Sequence, residues 1–120
     1  SIEVLLPNDG HVPTGLQIQF IAERGPVTTP KITLVRTQNG ESGLYMRVKV
    51  SMNQGDVLLV DTNTRHQVIE LNGVNIYQKI DRMSEPFLLE VGNNYLEYDA
   101  DENYTNLDVK LFYTPFYLGV

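Results

Sequence analysis

Apolar and polar positions alternate along most of this chain. Leu16, Ile18, Phe20 and Ala22 are interleaved with Gln17 and Gln19 and followed by Glu23, and Leu44, Met46, Val48 and Val50 alternate with Tyr45, Arg47, Lys49 and Ser51. A period of two sends successive side chains to opposite faces, so each run predicts a strand with one wet face. Residues 32–35, 57–60, 67–71 and 87–91 are shorter runs rich in branched side chains and read as further strands. Residues 95–98 and 107–113 complete the set; in the last, Leu107, Val109, Leu111 and Tyr113 share one face, opposite Asp108, Lys110 and Phe112.

Turn chemistry separates the runs: Pro7-Asn8-Asp9-Gly10, Gly25-Pro26, Gln38-Asn39-Gly40, Gln54-Gly55-Asp56, Asn72-Gly73 and Gly92-Asn93-Asn94. About eight short strands broken by tight turns must bury their apolar faces against one another, which predicts an all-β, antiparallel two-sheet β-sandwich. Ile76, Ile80 and Met83 are spaced for one face of a short helix, which Pro86 limits to a turn or two. Pro13 sits beside the Asn-Asp-Gly turn, so residues 1–14 are either a lead-in or, over residues 2–6, an edge strand.

Composition narrows the function more than the fold. A length of 120 residues suits one domain with a real core, and 42% hydrophobic against 20% charged residues excludes a disordered chain. Nine Lys and Arg against fifteen Asp and Glu give a net charge of -6, which repels nucleic acid and anionic membranes. The longest apolar runs are about four residues, far short of the roughly 20 that a membrane helix needs. Cysteine is absent, which removes disulfides, thiolate nucleophiles and Cys-ligated zinc. The opening Ser1-Ile2-Glu3-Val4 has neither Met nor a signal-like stretch, and is expected to be a cut from something longer.

The segment Asp99-Ala100-Asp101-Glu102-Asn103-Tyr104 sets oxygen ligands at alternate positions, as a calcium loop does. An EF-hand loop requires Gly at its sixth position and Glu at its twelfth, which here are Tyr104 and Lys110. Residues 100–106 therefore read as a hairpin loop, and no metal is expected. His11 and His66 are too few for a three-His zinc centre, and His66 beside Arg65 reads as a solvent-facing turn. No Gly-x-Ser-x-Gly elbow, Gly-x-Gly-x-x-Gly or P-loop occurs, so neither a catalytic residue nor a cofactor is assigned. The aromatics are left: the chain has no Trp, and four of its aromatic residues crowd into Phe112-Tyr113-Thr114-Pro115-Phe116-Tyr117. Phe112, Phe116 and Tyr117, with Tyr104, are the candidates for a partner interface, where aromatics act as anchors. A carbohydrate-binding module recognising host cell-wall sugars is the alternative, with tyrosine or phenylalanine under the sugar ring.

The stretches "NDGHVPTGLQIQF", "VIELNGVNIY", "EVGNNYLEYDADENYTNLDVKLFY" and "YTPFYLGV" resemble the C-terminal domain of siphophage distal tail proteins, over nearly the whole chain. The matching positions are the Asn72-Gly73 turn, Ser84 ahead of Phe87, Gly92 and Asn93 before a Tyr-containing strand, and the ending Tyr113-x-Pro115-x-Tyr117-Leu118-Gly119-Val120. The resemblance implies a galectin-like, jelly-roll-type sandwich at the tip of the virion tail, made in the bacterial host cytoplasm from a phage or a prophage. It also implies a hexameric ring closed by an N-terminal domain that this chain lacks. The expected partners are other tail proteins: the tail tube, the tail-associated lysin or fibre, and the receptor-binding protein. Sugar binding does not follow from the fold.

Overall fold

Alternation becomes a ladder where neighbouring strands accept the same inward face. The computed structural model of the chain describes residues 1–63 and 68–119. One sheet runs in the order β1 (Ile2–Asn8), β9 (Gly92–Glu102), β3 (Val27–Thr37), β4 (Gly40–Arg47), with β5 (Ser51–Met52) also paired to β3. The other runs β10 (Leu107–Phe112), β2 (Gln17–Ala22), β6 (Val57–Asp61), β7 (Val68–Leu71), β8 (Val74–Asn75). Every pairing between these strands is antiparallel. Ile32, Leu34, Met46 and Leu96 of the first sheet and Ile18, Phe20, Leu58, Val60, Ile69 and Leu107 of the second bury into one core. The molecule is thus the antiparallel two-sheet β-sandwich that the alternation predicts.

Residues 2–6 form an edge strand, not a lead-in, and it continues to Asn8 against the whole first half of β9. The Asn72-Gly73 turn has positive φ at both residues (50° and 83°), the geometry of a tight hairpin turn that favours Asn-Gly, and it joins β7 to β8.

Four expectations fail. Residues 87–91 are not a strand: Phe87 and Leu89 are buried, but among the described residues the segment makes a single bridge, Leu89 to Thr14. Alternation reports which side chains are buried and not whether a neighbour completes the ladder. The strand expected from Leu44 through Val50 stops at Arg47. There the chain turns, with Val50 N–H bonded to the Val48 carbonyl at 2.9 Å, and β5 follows. The expected short helix is one 3-10 turn, Tyr77–Lys79, and Met83 lies in solvent instead of sharing a face with Ile76 and Ile80. Residues 100–106 are not a hairpin loop either. β9 continues to Glu102, a 3-10 turn covers Tyr104–Asn106, and β10 then joins the opposite sheet, so the connection crosses between sheets. Gln67, expected in a strand, and Arg65 and His66, expected in a turn, lie outside the described residues.

Candidate interaction surface

The acidic segment is the first site to resolve. Asp101 accepts a hydrogen bond from Arg47 Nη2 at 2.7 Å, and Asp99 Oδ1 accepts the N–H of Ala100 at 2.8 Å. Among the described residues no three His, Asp or Glu side chains converge as a ligand set. Arg47 also reaches Asp81 at 3.4 Å. The Asp101 hydrogen bond holds the Arg47 guanidinium above its ordinary pKa despite burial, so it stays charged. Desolvation pushes the Asp81 carboxyl up, but the Met83 N–H, Arg47 and the nearby Lys49 outweigh it and hold that carboxyl below its ordinary value. This cluster ties β4 to the 79–85 segment beside it. Asp81 N–H bonds the Arg47 carbonyl, Glu85 N–H bonds the Tyr45 carbonyl, and the Ser84 hydroxyl both accepts from Arg47 N–H and donates to its carbonyl. The end of the β4 edge at residues 45–47 is thereby covered.

The aromatic candidates divide by place. Tyr104 lies in the 3-10 turn before β10 and is half-buried, whereas Phe112 is at the other end of that strand, whose five steps span about 17 Å. The structure therefore separates Tyr104 from the other three. Phe112, Phe116 and Tyr117 are 47%, 55% and 60% exposed, and Leu118 beside them is 64% exposed. Phe112 and Phe116 line one cleft of about 420 Å³ together with Thr14, Gln17 and Asp61.

What holds residues 113–118 is the connection between β1 and β2. His11 N–H bonds the Phe116 carbonyl at 2.7 Å, the Leu118 N–H bonds His11 Nδ1 at 3.0 Å, and Thr14 Oγ1 donates to the Thr114 carbonyl at 3.2 Å. The Tyr113 hydroxyl donates to the Pro7 carbonyl. Burial raises the Tyr113 pKa, with Asp9 and Tyr117 adding to the shift, so the phenol keeps the proton it donates. The His11 ring meets Tyr117 edge to face at 5.2 Å. Gly10 permits the approach: a Cβ there would sit 2.7 Å from the Phe116 oxygen and 2.9 Å from its nitrogen. The turn itself is fixed by Asn8, buried, whose amide accepts from Gly10 N–H and donates to the Val12 and Leu89 carbonyls.

Of the other aromatics, Tyr77 on the 3-10 turn after β8 is 46% exposed, whereas two tyrosines are covered by cations. Lys31 Nζ lies 4.4 Å from the centre of the Tyr45 ring, and the Arg36 guanidinium lies 3.9 Å from that of Tyr95. Exposed aromatic side chains thus lie at Phe112, Phe116 and Tyr117 and also at Tyr77. The sequence pointed to Phe112, Phe116 and Tyr117. It gave no sign of Thr14, Gln17 or Asp61, because their meeting depends on strand register, and of His11 it said only that two histidines are too few for a zinc centre.

A family model described as "Siphovirus-type tail component, C-terminal domain" matches residues 9–117. The chain belongs to this family. It is the family of distal tail proteins that the sequence resembles, and the match runs from Asp9, in the turn after β1, to Tyr117 in the anchored aromatic segment. This tail-component domain is accordingly a structural part of the virion tail. No curated protein and no solved structure matches the chain.

Proposed function

We propose that this domain is an attachment point at the tail tip, holding peripheral adsorption proteins through its exposed aromatic segment. In this reading it is the C-terminal, galectin-like part of a longer distal tail protein, made in the host cytoplasm, whose N-terminal domain closes a hexameric ring on the tail tube. The family description as a C-terminal domain supports that division. Its partners are the tail-associated lysin or fibre and the receptor-binding protein.

One observation carries the reading. Phe116, Tyr117 and Leu118 are contiguous and mostly exposed, on a segment whose backbone is already bonded to His11. A pre-ordered segment loses less entropy on binding than a free tail, so its apolar side chains serve well as anchors. Tyr104, on the far end of β10, would belong to a second contact. The test is titration of the domain with purified tail-associated lysin or fibre protein. Tyr117→Ala with Leu118→Ala should weaken association by about thirty-fold, the loss expected of a 2 kcal/mol anchor. Unchanged affinity in that double variant would remove this segment from the interface.

A further inference from the structure

A second site lies on the outer face of the β10-β2-β6 sheet. Phe112 is the cross-strand partner of Gln17, and Gln17 is the partner of Asp61, so the three stand in one row across adjacent strands. With strands about 4.8 Å apart, an aromatic ring, an amide and a carboxylate are spread over roughly 10 Å. Thr14 and Phe116 close the end of the row and make it a cleft of about 420 Å³, at the small end of ligand sites.

The polar groups are already oriented. Gln17 Nε2 donates to Asp61 Oδ2 at 3.4 Å, and the Asn63 N–H donates to Asp61 Oδ1 at 2.8 Å. Each carboxylate oxygen keeps a second lone pair, Gln17 keeps its carbonyl oxygen and one N–H, and the Thr14 hydroxyl, committed as a donor to Thr114, keeps its acceptor capacity. Acceptors outnumber donors. No Lys, Arg or His occurs among the described lining residues, and one carboxylate does. Among the described residues nothing offers a cation to phosphate or an acidic sugar, and the Asp61 carboxylate repels both. A ligand rich in O–H donors, with an apolar face to lay on an exposed ring, fits on both counts.

We infer that this cleft binds a neutral saccharide unit, its C–H face on Phe112 and its vicinal hydroxyls on Asp61 and Gln17. Tyr117 and Leu118, the two residues changed in the attachment test, line no part of the cleft, so the two readings are tested separately although Phe116 belongs to both. The experiment is amide-resolved NMR titration of the 120-residue chain with a panel of neutral hexoses and N-acetylhexosamines at millimolar concentration, alongside glucuronate and glycerol phosphate. At least one neutral sugar should shift Gly15, Gln17, Asp61 and Phe112 selectively and saturably. Asp61→Asn should weaken that sugar about ten-fold and Phe112→Ala several-fold, with the rest of the amide spectrum unchanged. Gln17→Ala, on an exposed side chain, gives an independent check that does not disturb the Asp61 turn. No saturable shift with any neutral sugar, shifts elsewhere on the molecule, preference for the acidic probes, or binding insensitive to all three substitutions would each overturn the assignment. So would a purified tail protein that protects the Gln17 and Asp61 amides where no sugar does.

Discussion

Single side chains finish ladders that the strands leave incomplete. Asn94 is buried, and its amide donates to the Leu6, Glu90 and Gly92 carbonyls while accepting from Glu90 N–H. Thr62 does the same at the end of β6, accepting from Leu16 N–H and donating to its carbonyl. Removing such a side chain leaves backbone groups without partners where water does not easily replace them. Asn94→Ala should therefore cost about 1–3 kcal/mol in chemical denaturation, while a change at exposed Asn39 should cost little. Asp81 adds a pH dependence. Its carboxyl binds a proton less readily in the fold than in the unfolded chain, so acid favours unfolding. Its contribution is complete above the ordinary carboxylate pKa of about 4 and is lost as pH falls through the lower folded value. Melting temperatures of the native chain and Asp81→Asn should differ at neutral pH and converge in acid. A gap that widens in acid would contradict the lowering of the Asp81 pKa by the Met83 N–H and Arg47.

At the scale of elements, the sequence showed β2, β6 and β10 plainly, because each has one face in the core and one in water. β9 was harder to see. Asp99, Asp101 and Glu102 look like loop residues, yet Asp99 and Glu102 pair with Lys31 and Thr28 of β3, since backbone ladders form without regard to side-chain polarity. Residues 87–91 misled in the opposite direction, being a short apolar run rich in branched side chains but almost without a ladder. The row Phe112, Gln17, Asp61 could not be read at all, because it joins positions far apart in sequence through register alone. The terminal segment is the element with the most specific dependence on one residue. Gly10→Ala would drive a methyl into the Phe116 backbone, which cannot move aside as a flexible side chain could. The expected result is release of residues 114–118: faster hydrogen exchange at His11 and Leu118 and easier proteolysis beyond Tyr113, with core amides still protected. Unchanged protection at Leu118 would show that the segment has another anchor.

For the whole molecule the question is how much surface is left for assembly. Exposed apolar side chains are spread over the molecule: Ile2 and Leu5 on β1, Leu44 on β4, Val74 on β8 with Tyr77 soon after it, Met83 in the 79–85 segment, Val91 before β9, and Phe112 with Phe116 to Leu118. Residues 45–47 of the β4 edge are covered by the 79–85 segment, and Tyr45 and Tyr95 lie under cations, so neither offers a large continuous patch. A stable protein interface buries roughly 1,200–2,000 Å² in total, more than three adjacent side chains provide. Each copy also carries a net charge of -6, which opposes crowding several together. The 120-residue chain alone should therefore be a monomer or weak dimer by light scattering, and its apparent mass should rise with decreasing charge repulsion at higher salt only if a weak dimer forms. A tail protein presenting a complementary apolar groove would add the missing area around Tyr117 and Leu118, so mixing the two should give a defined complex where the domain alone gives none. A stable hexamer of these residues by themselves would place the ring contacts in this sandwich, and the aromatic segment would then be a contact between copies instead of an attachment point.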